Sequence, residues 1–229
     1  MNALVHRPSE PGCVLFLPGL PGGGDRIYDS GPYGNHGTIT GALWTRLPSG
    51  LWCLSFDGVD DIVQCADSRS LDFPEQFTII AWIKRNSLNR RDIIIAKRDG
   101  GSGYNSFEMD VTNDPSHLDC LYLSYQGNDG TWESNIFSQG TVDTSWRQVA
   151  VTRSPQKIRF FIDGKLDAAE SPPTVNPVAL STNYVGIGGV TWLALFSGCI
   201  AMPRLCNRVL SALEIQNLFN REKSLFGAW

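Results

Sequence analysis

Short apolar runs separated by turn residues recur along most of the chain. Residues 77–84 are apolar at nearly every position, which is typical of a central strand covered on both faces. Residues 106–111 and 118–125 alternate apolar and polar side chains, which predicts strands with one solvent-exposed face. Residues 146–153 and 157–162 are predicted to pair across a proline-containing turn. The pattern predicts about a dozen short strands.

One segment near the C-terminus has the pattern of a helix. Ser211 is a favourable N-cap, and Glu214 three residues later completes a capping box. The expected apolar face consists of Leu213, Ile215, Leu218 and Phe219. No internal repeat or linker divides the chain, so residues 1–229 are predicted to form a single all-β sandwich domain with one short terminal helix.

A tight acidic turn follows the predicted strand at residues 52–56. Asp57 and Gly58 form a dipeptide that supplies the positive φ required by a two-residue hairpin. Asp60 and Asp61 place two further carboxylates beside the turn. Two interpretations are open: the acids shape the turn, or they bind a cation.

Composition and charge narrow the classes of function. The chain has 229 residues, of which 42% are hydrophobic and 18% charged, with a net charge of -4. A mildly acidic chain without a basic cluster argues against nucleic-acid binding. The first eight residues contain no apolar run, so neither a signal peptide nor a membrane span is expected there.

The six cysteines lie mostly within apolar strand-like runs, without Cys-x-x-Cys spacing. Buried free thiols are therefore favoured over disulfides, although an even number permits pairing. The same spacing, with three histidines far apart, argues against a zinc site.

Four ordered motifs and a closing strand carry a family resemblance. The motifs are the turn-rich residues 28–38, the Phe-Asp-Gly-Val-Asp-Asp corner at 56–61, the strand at 77–83, and the strand at 146–152 with its companion Phe-Ile-Asp-Gly at 161–164. With the closing strand and Leu-Ser helix cap at 198–211, this order resembles laminin-G-like domains of the concanavalin A-like lectin/glucanase superfamily. The resemblance covers roughly residues 12–220.

The resemblance implies an antiparallel jelly-roll sandwich with one concave and one convex sheet. Ligands would lie on the concave face or its rim loops. Calcium is a candidate cofactor, because Asp29, Asn35, Asp57, Asp60 and Asp61 supply the hard oxygen ligands it prefers, if the two turns are adjacent. The resemblance also places Ala201 where relatives carry an aspartate ligand, which weakens this hypothesis. The alternative is that Asp29 forms an Asx-type turn.

Glucanases of the superfamily use a strand with the pattern Glu-x-Asp-x-x-Glu. Here Glu108 and Asp110 match, but Asn113 replaces the acid/base, and an amide cannot donate and recover a proton in that role. We therefore expect no enzymatic activity.

Sugar rings stack on exposed aromatic side chains. The candidate ligand-binding residues are Trp132, Trp192, Tyr122 and Tyr104. Because Tyr122 and Tyr125 are three residues apart on a strand, at most one of them faces a binding surface. A basic set is expected to form a solvated loop that could contact an anionic glycan or another protein chain: Arg85, Arg90, Arg91, Lys97 and Arg98.

The leading functional hypothesis is a non-catalytic, lectin-like carbohydrate-binding module. The alternative is a structural protein, such as a virion surface or decoration protein, that uses this fold for assembly or glycan attachment and reaches the exterior by lysis. Its partners would be a glycan or glycosylated surface, further copies of the chain, or a larger protein assembly.

Overall fold

The computed structural model describes residues 10–19, 24–98, 106–190 and 194–227. These residues form an all-β structure with one α-helix, as the apolar pattern predicted. The strands β1 to β16 are, in order, Cys13–Phe16, Arg26–Ile27, Gly37–Thr40, Leu43–Arg46, Trp52–Asp57, Ile62–Cys65, Phe77–Arg85, Asp92–Lys97, Phe107–Val111, Cys120–Gln126, Trp132–Thr141, Arg147–Arg153, Ile158–Ile162, Lys165–Ser171, Val185–Ile187 and Ser197–Cys206. Helix α1 spans Ala212–Glu222.

The strands form two antiparallel sheets that pack as a jelly-roll sandwich. The first sheet has the order β14-β13-β12-β7-β16-β5-β4, with β1 paired to β16. The second sheet has the order β11-β10-β9-β8-β15-β6-β3-β2. A large apolar cluster between them includes Phe77 of the first sheet and Phe107 of the second. Strand β7 is buried at every position except Lys84, which confirms the prediction of a doubly covered central strand.

Helix α1 and the 3₁₀ turn after it cover the outer face of the first sheet. The Trp82 ring stacks on Phe219 and Phe226, with centroid distances of 5.6 and 4.1 Å. The predicted capping box between Ser211 and Glu214 is present. The assignment of Leu213 to the apolar face was wrong: it is 64% exposed, because the helix turns its Ile215 and Leu218 side toward the sheet.

The acidic turn at residues 57–61 does not form the expected hairpin. Strand β5 pairs with β4 and β16, whereas β6 pairs with β3 and β15 in the opposite sheet. Gly58 does adopt a positive φ of 82°, so the turn residue was identified correctly and its role was not. The segment carries the chain from one sheet to the other. By contrast, Asp163 and Gly164 form the predicted two-residue hairpin between β13 and β14.

The predicted basic loop is instead an ion-pair network around β8. Arg85 is 1% exposed and binds Asp92 and Asp119, while Lys97 is fully buried beside Asp72. The expectation failed because the fold brings acids to these cations both from β8 itself, at Asp92, and from separate connecting segments, at Asp72 and Asp119. All six cysteines are free thiols, and only Cys199 is not fully buried. In the part of the chain described, no helix has the length and apolarity needed to cross a membrane.

Candidate functional site

An open groove lies on the outer face of the second sheet, over strands β9 to β11. Its volume is about 550 Å³. The lining residues of this sheet-face groove are Arg91, Thr112, Asn113, Asp114, Pro115, Tyr122, Asn135 and Phe137. A neighbouring depression of about 410 Å³ shares Asn135 and Phe137 with the groove and adds His117. No helix among the described residues packs on this face, unlike the face under α1.

Three aromatic side chains form a continuous platform in the groove. Tyr122 of β10 and Phe137 of β11 are direct cross-strand partners, so their side chains lie on the same face. Their ring centroids are 5.1 Å apart. The His117 ring stacks on Phe137 at 4.0 Å and nearly parallel, at 4°. All three are partly exposed, so they present ring surface to solvent.

The orientation of Tyr122 follows from strand periodicity. Leu121, Leu123 and Tyr125 point into the sandwich core, whereas Tyr122 points outward. The prediction that Tyr122 and Tyr125 face opposite ways is confirmed. The buried Tyr125 hydroxyl lies within hydrogen-bond distance of Glu133 and the Val175 carbonyl, and the Arg153 guanidinium lies 4.9 Å from its ring centroid. Tyr125 is therefore a core residue.

A buried pair of carboxylates forms the floor beside the groove. Glu108 and Asp110 are both fully buried, contrary to the expectation of a solvent-exposed face on β9. Arg91 covers them: its Nε donates to Asp110 Oδ2 at 2.6 Å, and its Nη2 binds Glu108. Arg98 also binds Glu108. The alternation of apolar and polar residues in β9 was predicted correctly, but Arg91 and Arg98 cover the polar face and exclude solvent from it.

Burial dominates the electrostatics of this pair. It raises the pKa of Asp110 well above its usual range, and the neighbouring Glu108 raises it further, while Arg91 opposes both effects. The Asp110 Oδ1 atom is buried without a hydrogen-bond partner. Two carboxylates closed off by arginines are poorly placed to act on a sugar. The position that a glucanase acid would occupy, Asn113, instead lines the groove.

The remaining predicted aromatic residues lie elsewhere. Trp132 is the first residue of β11 and is 42% exposed, and the Arg98 guanidinium lies 5.5 Å from its ring centroid. It is at the far end of the strand pair from Phe137. Arg98 and Glu108 connect it to Arg91 at the groove. Tyr104 and Trp192 lie outside the described residues.

Several residues of the groove and its neighbouring depression were not anticipated from the sequence: Arg91 as a lining residue, His117, Asn135 and Phe137. Strand β11 itself was missed. Two features of the sequence could have predicted β11: the turn at residues 127–130, after which a strand could pair with β10, and the adjacent apolar residues Ile136 and Phe137. Ile136 points into the core, and Phe137 points outward.

Asp29 and Asn35 form a buried hydrogen-bonded hub. Asp29 Oδ1 accepts from the Phe16 and Gly31 amides, and its Oδ2 accepts from the Asn35 amide. The Asn35 side chain donates to the Val14 carbonyl and to Ser70. These contacts tie the turn-rich segment to β1, the role expected of an Asx-type turn.

The acids that do converge are Asp57, Asp60 and Asp61, whose ligand atoms lie within 4.8 Å of one another. Asp61 Oδ2 accepts from the Asp57 amide at 2.7 Å, and Asp57 Oδ1 accepts from the Val59 amide at 2.8 Å. The pKa of Asp61 is raised by burial and by its two acidic neighbours. The remaining carboxylate oxygens suit calcium chemically, but three side chains supply only part of the six to eight ligands it takes.

The position of Ala201 bears less on this corner than the resemblance implied. Asp57 pairs with Ser197, four residues earlier on β16, whereas Ala201 pairs with Trp82 on β7. At about 3.3 Å per residue, Ala201 is too far along the strand to contribute a ligand there. The calcium hypothesis therefore stays a prediction for Asp57, Asp60 and Asp61, with Asp29 and Asn35 engaged in the separate hub.

Comparison with known proteins shows which family the sequence matches and which solved structures share the fold. A family model described as the concanavalin A-like lectin/glucanases superfamily matches residues 57–216, more than half of the chain. No curated protein sequence gives a significant match.

Solved structures with the same fold include toxin and sialidase chains. The binding domain of Paraclostridial Mosquitocidal Protein 1 aligns with a TM-score of 0.72 at 14% identity, covering 95% of this chain and 55% of that one. The botulinum neurotoxin serotype D ligand-binding domain, solved with N-acetylneuraminic acid, gives 0.68 at 15%, covering 92% and 51%. Trypanosoma rangeli sialidase, solved with sialic acid, gives 0.65 at 17%, covering 94% and 34%. The chain thus spans about half of the toxin domains and a third of the sialidase.

Proposed function

The chain belongs to the concanavalin A-like lectin/glucanase superfamily, and we propose that it is a non-catalytic, lectin-like module that binds carbohydrate in the sheet-face groove. The observation that carries the proposal is the partly exposed platform that Tyr122 and Phe137 form in the groove and that His117 extends into the neighbouring depression. Sugar rings present apolar C–H faces that stack on such rings.

The polar groups around the platform suit sugar hydroxyls. Asn113 and Asn135 are exposed and each carries both an amide donor and a carbonyl acceptor. The Arg91 guanidinium adds donors at the groove wall, although its charge is balanced by Glu108 and Asp110. This balance favours a neutral saccharide over a strongly anionic one.

Two of the structural neighbours were solved in complex with sialic acid, which supports carbohydrate binding as the general function. The chain covers only part of each neighbour, so the sugar class is not transferred with the fold. The absence of catalysis is proposed because Glu108 and Asp110 are fully buried and Asn113 cannot act as an acid.

The test is a glycan array followed by calorimetric titration of the best ligand. Tyr122→Ala and Phe137→Ala are each expected to weaken the Kd by about tenfold or more, the effect of removing an aromatic anchor. Tyr33→Ala is the matched control, because Tyr33 is 58% exposed and lies outside the groove. Unchanged binding in both groove variants would place the ligand elsewhere and contradict the proposal.

The other aromatic residues predicted to bind ligand are tested in the same titration. Trp132→Ala, Tyr104→Ala and Trp192→Ala report whether those three residues contribute to binding. The alternative function is that of a surface or assembly protein. Self-association detected by light scattering, together with no binding on the glycan array, would support it. A monomer that binds glycan supports the module.

A further inference from the structure

Arg91 lies where the buried acids of β9 meet the sheet-face groove. It directly precedes β8 and lines the groove together with Tyr122. Asp110 is the direct cross-strand partner of Tyr122, so these two side chains lie on the same outer face of the sheet. Arg91 Nε donates to the Asp110 carboxylate at 2.6 Å. The guanidinium is therefore held next to the aromatic platform.

The buried acids occupy one edge of this guanidinium and leave the other edge free. Nε binds Asp110 and Nη2 binds Glu108, and both acids are fully buried. A guanidinium carries more N–H donors, all in one plane, than these two contacts use. Within the part of the chain that the structure describes, Nη1 has no hydrogen-bond acceptor. Because the Arg91 side chain is 30% exposed and lines the groove, this free Nη1 edge faces the groove.

Several contacts fix Arg91 in this orientation before any ligand binds. Glu108 accepts from Arg91 at one carboxylate oxygen and from Arg98 at the other. The pairing of β9 with β8 and with β10 holds Glu108 and Asp110 in place beneath the guanidinium. A side chain that is already ordered loses little conformational freedom on binding, so its hydrogen bonds contribute more fully to affinity. Arg91 is thus a preorganised donor.

We propose that Arg91 is the specificity-determining residue of the sheet-face groove and recognises two adjacent hydroxyl groups on the edge of a neutral sugar ring. The face of the ring stacks on Tyr122 and Phe137, and the hydroxyl oxygens at its edge accept from the free Nη1 edge. Glu108 and Asp110 are positioning residues that hold the guanidinium in place. The acids that match the glucanase pattern therefore serve recognition. This inference rests on the proposed carbohydrate-binding function and names the part of the sugar that is recognised.

The charges around the groove favour hydroxyl oxygens over a carboxylate. The two buried acids balance the charges of Arg91 and Arg98. The Asp114 carboxylate also lines the groove. A carboxylate on the ligand would add a like charge beside these acids, which is unfavourable. A hydroxyl group accepts from the guanidinium without this repulsion, and its own proton suits an acceptor such as Asp114.

The experiment titrates the intact chain with the methyl glycosides of glucose, galactose and mannose, with binding followed by NMR. The glycoside that binds most tightly is then compared with its monodeoxy analogues. In the wild type, removing either hydroxyl that contacts Arg91 should weaken the Kd about tenfold, because a charged donor then loses its acceptor. Methyl glucuronide, which carries a carboxylate, should bind no more tightly than methyl glucoside.

Arg91→Lys retains the positive charge but removes the planar pair of donors. It should weaken the Kd of the parent glycoside about tenfold and reduce the discrimination against the deoxy analogues to less than about threefold. Arg159→Lys is the matched control, because the Arg159 side chain is 34% exposed, forms an ion pair with Glu170 and lies outside the groove. This control should leave both the Kd and the discrimination unchanged.

The positioning role is tested by the same discrimination, which a purely structural role would leave unchanged. Asp110→Ala should reduce the discrimination, and Asp110→Asn, which keeps an acceptor for Arg91, should reduce it less. The Arg91→Lys result suffices if Asp110→Ala fails to fold. Full discrimination in Arg91→Lys, or tighter binding of methyl glucuronide than of methyl glucoside, would overturn this inference. Loss of binding in Tyr122→Ala would in that case still support carbohydrate binding, whereas no binding of any glycoside or array glycan to the wild type would overturn both.

Discussion

At the scale of single residues, the buried acids of β9 illustrate what a sequence pattern leaves open. Alternation correctly predicted that Glu108 and Asp110 share one face, because strand periodicity is local. Their burial depends on Arg91 and Arg98, whose positions relative to the acids are set by the pairing of β8 with β9. The same charges that suggest a catalytic strand therefore form a closed ionic layer.

Asp110 is expected to make stability depend on pH in an unusual direction. Because burial and Glu108 raise its folded-state pKa above the unfolded value, the folded state binds more protons above about pH 4. Stability contributed by the protonated form is therefore lost as pH rises through this window. Asp110→Asn mimics the protonated acid, and its amide can donate to Glu108 while its carbonyl accepts from Arg91.

The measurement is urea unfolding of both proteins between pH 4 and 7. As pH increases, the free energy of unfolding of the wild type should fall relative to that of Asp110→Asn. Asp143→Asn is the comparison variant: the hydrogen bond from Arg147 lowers the pKa of Asp143, so its contribution is lost only below about pH 4 and its curve should stay parallel to that of the wild type in this window. Parallel curves for Asp110→Asn and the wild type would contradict the assignment.

The aromatic residues show the same limit of sequence reasoning. The outward direction of Tyr122 was predictable from its neighbours in β10. The platform was not, because Phe137 joins Tyr122 only through the pairing of β10 with β11, and His117 joins Phe137 from a loop. Single-strand periodicity assigns a face, but the site is made by several segments that meet on it.

At the scale of elements, α1 was predicted from local signals and its docking was not. Ser211 and Glu214 define its start within four residues of sequence. Its anchor is Glu222, which is 3% exposed and accepts from Trp82 Nε1 at 2.8 Å. Arg204 donates to the same carboxylate at 2.6 Å. Arg204 lies on the strand that immediately precedes the helix, but Trp82 is 140 residues from Glu222 in sequence, so no local pattern reveals the full partnership.

Glu222→Ala should destabilise the protein by about 3–5 kcal/mol, the usual effect of removing one partner of a buried ion pair. The variant leaves the Trp82 indole donor without its acceptor and leaves the Arg204 guanidinium with Glu10 Oε2, 3.6 Å from its Nε, as its remaining carboxylate partner. Gln216→Ala, on the exposed face of the same helix, should change the free energy of unfolding by less than about 0.5 kcal/mol. Equal effects of the two substitutions in denaturant titrations would show that Glu222 does not anchor the helix.

At the scale of the whole molecule, the corner at residues 57–61 determines how the two sheets are connected. The fold class was predictable because strand and turn signals recur along the chain. The crossing was not, because a hairpin and a sheet-to-sheet connection both use an Asp-Gly turn with positive φ. Only the partners of β5 and β6 distinguish them: each strand has one partner nearby in sequence, β4 or β3, but its other partner, β16 or β15, comes more than a hundred residues later.

Because this corner joins both sheets, an ion bound there would stabilise the whole sandwich. The calcium hypothesis predicts about 2.7 kcal/mol of added stability at calcium concentrations a hundredfold above the Kd, reversed by a chelator. Asp60→Asn should abolish the calcium-dependent shift in Tm, because it removes one carboxylate of the cluster at an exposed position where the fold should tolerate the change. Asp25→Asn, which changes an exposed acid outside the cluster, should leave the shift unchanged. An unchanged wild-type Tm would contradict calcium binding. The carboxylates of Asp57 and Asp61 would then serve only to hold the backbone amides of the crossing.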